Sequence, residues 1–183
     1  MHFHCRRLPH IHVVGQPLFI TWRLLGSLPA NRSFPSEITS GRAFVAMDRI
    51  LDQGRSGPLY LRRNDIAELM IEAMRYRREQ FRLHSYVVMA NHVHVLITPQ
   101  VEVSKLMHSL KRFTARRANE ILGLTGQPFW QDESYDHLVR DESEFRRIVG
   151  YIEMNPVKAG LVATPEEFPW SSASRFGLGR LGG

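Results

Sequence analysis

Apolar and polar positions alternate with a period of two along QPLFITWRLLGSLP. Leu18, Ile20 and Trp22 fall on one side and Phe19, Thr21 and Arg23 on the other, the pattern of a β-strand. The period then lengthens. Ala43, Phe44, Met47, Ile50 and Leu51 recur at helical spacing behind Ser36, which offers a cap, and DQGRSGP stops that helix. A second helix is predicted from Asn64, as cap, through IAELMIEAMRYRRE, with Ile66, Leu69, Met70 and Met74 facing inward. Two further strands, RLHSYVVMA and HVHVLITP, flank Ala90-Asn91, and so short a turn predicts an antiparallel hairpin.

The segment VSKLMHSLKRFTARRANEILG is the clearest amphipathic helix. It is predicted to bury Leu106, Met107, Leu110, Phe113, Ala118 and Ile121 before Gly123 stops it. Its opposite stripe, Lys105, His108, Arg112 and Arg116, is either a solvated face or a track for DNA phosphates. SYDHLV reads as a short strand. Asp141 and Glu144 then form a D-x-x-E capping box opening ESEFRRIVGYIEM, and Pro156 disfavours helical geometry at Asn155. The order β-α-α-β-β-α-β-α is an α+β plan, a small antiparallel sheet covered by helices.

The chain has 183 residues and 43% hydrophobic content, which predicts one domain over residues 1–183 with a flexible basic N-terminal arm and a glycine-rich tail, FGLGRLGG. No run of eighteen apolar residues occurs, and MHFHCRRLPHIHVV has no signal-peptide core, so the expectation is a soluble cytoplasmic protein without a membrane partner. Cys5 is the single cysteine, which excludes an internal disulfide and a cysteine-rich zinc site. Metal chemistry must therefore use His, Asp, Glu or Asn. Lys and Arg number 24 against 18 Asp and Glu, a net +6 with a pI near 10, as expected of a chain that meets polyphosphate. Charge alone does not decide for nucleic acid.

Three H-x-H triplets occur, His2 to His4, His10 to His12, and His92 to His94. The third lies in a strand-like run, VVMANHVHVLIT, where period two puts both imidazoles on one face and Val93 and Val95 on the other. Neighbouring imidazoles of that kind can chelate one ion, or they can be two hydrogen-bonded structural histidines. The last helix carries Tyr151 and Asn155 four residues apart, hence on one face. A phenol oxygen can attack phosphorus and a carboxamide oxygen can ligate a metal, while the plainer roles are a packed aromatic and a residue closing the helix before proline.

These residues carry a resemblance. NHVHVLITP resembles the His-hydrophobe-His strand of the HUH single-tyrosine transposases. FWQ with YDHLVRDESEFRRIVGYIEMNPVKAGLV resembles the C-terminal half of the REP-associated tyrosine transposases, and YIEMNPVKAGL is its most specific part. PLFITWRL and VVMANHVHVLI also suit that family, so the likeness extends over most of the chain. It implies a ferredoxin-like, RRM-like antiparallel sheet. It implies His92 and His94 as metal ligands, Asn155 as the third ligand and Tyr151 as nucleophile. Tyr135, beside Asp136 and His137, is the rival phenol. The implied metal is Mg²⁺ or Mn²⁺, whereas histidines taken alone lean towards zinc, nickel or manganese.

The activity implied is cleavage and rejoining of single-stranded DNA through a 5′-phosphotyrosine beside a DNA hairpin, with no small-molecule cofactor. Arg6 and Arg7 on the arm, with Lys105, Arg112 and Arg116, are candidate phosphate contacts. Trp22 and Trp130 are candidates for base stacking, though packing is the expected role of so large an apolar ring. Two other readings compete, a non-catalytic nucleic-acid-binding module on an RRM-like sheet and a metal-dependent hydrolase with no covalent step. The sequence leaves monomer and homodimer both open.

Overall fold

A computed structural model describes residues 14–29 and 40–175. Arg6, Arg7, the two N-terminal H-x-H triplets, Ser36 and the glycine-rich tail lie outside the described residues. In chain order the elements are β1 (Leu18–Arg23), α1 (Ser40–Asp52), α2 (Asn64–Tyr76), β2 (Phe81–Val88), β3 (His92–Pro99), α3 (Val103–Leu122), β4 (Tyr135–Leu138), α4 (Glu142–Glu153) and the short α5 (Asn155–Lys158). All eight elements expected from the sequence are present in the expected order.

The four strands form one sheet in the order β2-β3-β1-β4 with every neighbouring pair antiparallel. With α2 between β1 and β2 and α3 between β3 and β4, this is the β-α-β-β-α-β arrangement of ferredoxin-like and RRM-like folds. The hairpin turns where expected. Val88 pairs with Val93, and Met89 N–H donates to His92 O at 2.9 Å. The outer edge of β2 is covered from the C-terminal side, where Val88 N–H donates to Trp170 O at 2.9 Å and Ser172 N–H to Tyr86 O at 3.0 Å.

Strand alternation divides the core in two. Leu18, Ile20 and Trp22 of β1 and Val93, Val95 and Ile97 of β3 pack with Ile66, Met70 and Met74 of α2 and with Leu106 and Leu110 of α3. Phe19, Val87 and Leu96 point the other way, against Phe44 of α1 and Ile148 and Ile152 of α4. His92 and His94 belong to this second face, because Thr21 pairs with His94 across β1 and β3. A bare ferredoxin-like unit covers only one face of its sheet. Here α1 and α4 close over the other, and the polar side chains they carry become interior groups.

Helix ends follow local chemistry, with departures from expectation, one being that Asn155, expected to leave helical geometry before Pro156, begins α5 with that proline in its first turn. Asn64 is the first residue of α2 rather than its cap. Arg63 occupies the cap position with extended geometry and no side-chain cap bond, and the helix stops at Tyr76. Phe113 and Ile121 stay partly exposed, because α3 turns them past the edge of the apolar stripe, and the Arg77 guanidinium covers the Phe113 ring at 5.0 Å. Gly123 ends α3 at φ 70°, a left-handed geometry that favours glycine. Asp141 caps α4 by accepting from Glu144 N–H at 2.8 Å, while the Glu144 side chain reaches Arg140 N–H, so the capping box forms with its return bond one residue early.

Candidate metal and nucleophile site

His92 and His94 are fully buried between β3 and the α1–α4 layer. A buried imidazole needs a partner at each nitrogen. At His92 the Nδ1–H donates to Asn91 Oδ1 at 2.7 Å, since a carboxamide oxygen can only accept, and this leaves Nε2 as a bare lone pair. Asn91 is itself fixed by donating from Nδ2 to Leu51 O at 3.0 Å. At His94 the Nδ1 meets Thr21 Oγ1 at 2.7 Å, which likewise turns Nε2 inward. The two Nε2 atoms stand 3.1 Å apart.

Sequence reasoning missed the third member, Asp48 of α1. It is 2% exposed, and its Oδ1 lies 3.1 Å from His94 Nε2 and 3.5 Å from His92 Nε2 with no hydrogen-bond partner. An ion with ligand bonds of about 2.1 Å separates neighbouring donors by roughly 3.0–3.5 Å at octahedral to tetrahedral angles. The observed triangle matches that spacing. Asp48, His92 and His94 thus form a group able to hold a metal ion, with two imidazoles oriented by outer partners as ligands usually are. Burial, reinforced by the neighbouring His94, pushes His92 down to about 3 against the opposing pull of Asp48, so its Nε2 stays a lone pair at neutral pH.

The last helix brings both of its expected residues here. Tyr151 of α4 donates its hydroxyl hydrogen bond to Asp48 Oδ2, and its ring packs edge-on to His94 at 5.8 Å and to Phe19 at 6.1 Å. Burial and then the Asp48 charge push the phenol far above its ordinary range. Asp48 itself is held below the ordinary carboxylate range: burial works against this, and His94, His92 and the Tyr151 hydrogen bond outweigh it. Asn155 is 1% exposed, and its Nδ2 donates to Asp48 Oδ2 at 3.3 Å and lies 3.4 Å from His94 Nε2, while its Oδ1 has no partner. A half-turn of that carboxamide brings the oxygen to the histidine side.

Other candidates fall elsewhere. Tyr135 stacks on Phe44 at 4.1 Å, and burial, then the Asp136 and Glu144 charges, push its phenol up; no contact joins it to the His–Asp group. Lys105, Arg112 and Arg116 are exposed on α3, across the sheet from the histidines. Lys105 pairs with Glu102 at 2.8 Å and Arg116 with Glu120 at 3.8 Å. Trp22 and Trp130 are core residues in edge-to-face contact at 6.2 Å, and Trp130 Nε1–H donates to Thr114 Oγ1 at 2.9 Å. No helix among the described residues is long and apolar enough to cross a membrane.

Residues 62–155, just over half of the chain, match the family described as Transposase IS200 like, and that span holds His92, His94, Tyr151 and Asn155. Over 103 residues the chain is 30% identical to the REP-associated tyrosine transposase of Escherichia coli (strain K12), taking in 54% of this chain and 58% of that protein's length. The fold is similar to that of a solved REP-associated tyrosine transposase bound to a REP hairpin, with a TM-score of 0.58 at 22% identity over 94% of this chain and 82% of that one. Given the family match across the strand and helix that build the site, this chain belongs to the IS200-like transposases.

Proposed function

We propose that the chain cuts and rejoins single-stranded DNA, with Tyr151 as nucleophile and a divalent cation held by His92, His94 and Asp48, and by Asn155 once its oxygen is turned inward. The observation that carries this reading is the bridging carboxylate. One Asp48 oxygen faces the two imidazole Nε2 atoms while the other receives the Tyr151 hydroxyl.

Tyr151 Oη, oriented by its hydrogen bond to Asp48 Oδ2, attacks phosphorus and its proton passes to solvent. The new Oη–P bond replaces the bond to the 3′-oxygen, which leaves as a hydroxyl after taking up a proton from solvent. The product is a 5′-phosphotyrosine, and a second 3′-hydroxyl can reverse the step on another DNA end. A bound cation supplies Lewis-acid polarisation of the phosphoryl oxygens and neutralises Asp48. Phe19 and Phe44 wall the tyrosine ring and keep bulk water from the attacking side. Two nitrogens with one or two oxygens form a harder set than histidines alone, which favours Mn²⁺ or Mg²⁺.

The partner in this reading is a DNA hairpin with an unpaired flank, as the hairpin-bound relative suggests. Phosphate contacts fall to Arg112, Arg116 and Lys105, with Arg6 and Arg7 on the arm. The test is a labelled hairpin with a single-stranded flank, incubated with Mn²⁺ and resolved under denaturing conditions. Wild type is expected to give a covalent protein–DNA adduct that maps to Tyr151 by mass spectrometry, and Tyr151→Phe to give none. DNA release without any adduct would mean hydrolysis, and an adduct on Tyr135 would move the nucleophile to β4.

A further inference from the structure

A cleft of about 230 Å³ opens beside the His–Asp group. Its walls are Leu51 at the end of α1, Leu59, Met89 in the β2–β3 turn and Leu161, with Ala159 just past α5. Its volume lies below the roughly 300–1,000 Å³ of sites for drug-sized ligands, and its apolar sides suit one flat ring system. Two polar groups tie it to the chemistry. His92 is shared between the cleft and the metal group, and Asp52, one helical turn after Asp48, lines the cleft with its Oδ1 3.8 Å from His92 Nε2 and without a hydrogen-bond partner.

Lys158, the last residue of α5, adjoins the cleft wall in the chain. Its Nζ lies 4.7 Å above the Tyr151 ring, its charge is felt at Asp52, and the next residue, Ala159, lines the cleft. An ammonium over the ring of the attacking tyrosine, on the residue before a wall of the cleft, fits a phosphodiester whose base occupies the cleft.

We propose that this cleft is a pocket for one unpaired nucleobase, that of a nucleotide adjoining the scissile phosphate, and that Lys158 contacts the phosphodiester this nucleotide carries. The location relative to the scissile phosphate rests on the reading of Tyr151 as nucleophile. The Asp52 carboxylate sets the preference. Its Oδ1, buried in the cleft wall with no hydrogen-bond partner, is an acceptor, so it favours a base with adjacent N–H donors. Guanine offers N1–H and N2–H₂ side by side. Thymine offers one N–H between two carbonyl oxygens, which a carboxylate repels. Arg62, exposed at the rim, is available to the outer phosphate.

The test is equilibrium binding in EDTA, which needs no catalysis. Fluorescent ten-nucleotide oligo-dT is compared with the same probe carrying one dG, dA, dC or abasic site at its centre. The single-dG probe is expected to bind about tenfold tighter than oligo-dT, as one well-placed base contact does. Leu161→Trp, which fills the cleft from an exposed rim position, is expected to erase that advantage and leave oligo-dT affinity within twofold. Asp52→Asn is expected to erase the dG preference while the abasic probe binds as before, so the proposal stays testable if the tryptophan variant melts early. Lys158→Ala is expected to weaken every probe alike.

Equal binding of the four base probes by wild type, or a dG preference that survives both Leu161→Trp and Asp52→Asn, overturns the pocket. A wild-type Tyr151 adduct together with that result overturns the pocket alone and leaves the nuclease reading standing. A lost adduct with the dG preference intact overturns the nucleophile assignment and retains a base-binding cleft.

Discussion

Removing only the Tyr151 hydroxyl separates structural from chemical roles. In the metal-free protein Asp48 Oδ2 accepts from Tyr151 and, at 3.3 Å, from Asn155, so Tyr151→Phe deletes the shorter of two donors to a buried carboxylate. A hydrogen bond to a charged group contributes about 1.5–3 kcal/mol. The ring contacts to Phe19, His94 and Phe44 do not involve the hydroxyl, so packing should be unchanged. The expected cost in EDTA is roughly 2 kcal/mol, or about 4–8 °C in Tm for a chain of this size. A bound divalent ion takes over the compensation of Asp48, so with saturating Mn²⁺ the deficit should shrink to about half or less. Paired thermal melts of wild type and Tyr151→Phe, each with EDTA and with Mn²⁺, measure this. Identical melts in EDTA, or an undiminished deficit in Mn²⁺, would refute the idea that one carboxylate serves both the phenol and the ion.

Three further outcomes are expected. Isothermal titration with Mn²⁺ should show His92→Ala, His94→Ala and Asp48→Ala each losing more affinity than Asn91→Ala, which removes only an outer partner and should cost about 10–100-fold. His92 has a folded pKa near 3, below its unfolded value near 6.5, so the unfolded chain takes up its proton first. The metal-free stability it contributes is therefore full above pH 6.5 and lost as pH falls towards 3, about 2 kcal/mol of it by pH 5. Burial raises Asp52 to about 7, which gives the opposite trend over this range, so the check is urea melts of Asp52→Asn, where a flat profile between pH 8 and 5 would contradict this. Finally, Arg112→Ala and Arg116→Ala should each lower the slope of log K against log salt for hairpin DNA by about 1, whereas unchanged slopes would make the α3 stripe a solvated face.

Much of the fold was legible because its signals are local. The alternation in LFITWR and HVHVLITP, the tight Ala90-Asn91 turn and the Asp141 cap each specify an element from a few neighbouring residues. The faces followed too, since assigning Thr21 and the histidines to opposite sides from Trp22 and Val93 needs only period two. Asn64 was misplaced by one position because its cap-forming chemistry is intrinsic, whereas the observed start is set by Asp65, which accepts from the Arg63 guanidinium at 2.7 Å and from Ile66 N–H at 3.0 Å. Periodicity overstates burial at the margins of α3 for a similar reason. Amphipathic periodicity gives the centre of a stripe well and its edges poorly, and Phe113 and Ile121 are edge positions.

Asp48 was hidden for a different reason, though it left a trace. It lies four residues after Phe44 and three before Leu51, so helical periodicity places it within the inward stripe of α1, where a carboxylate without a task is expensive. That was a signal for a buried acid, but not for its partners, because β1 to β3 pairing, which joins Thr21 to His94 across 73 residues, decides which strand α1 meets. The same reasoning says what α1 and α4 do for this sheet. An RRM-like sheet that left its second face open would present the histidines to water. With the second face closed, the histidine lone pairs meet Asp48 and Tyr151 in a low-dielectric interior where each interaction is strengthened and none can be lost quietly. Disrupting the closing layer without altering any polar group, as in Phe44→Ala, should then weaken Mn²⁺ binding as well as stability, while a cavity on the opposite face, as in Met70→Ala, should reduce stability alone.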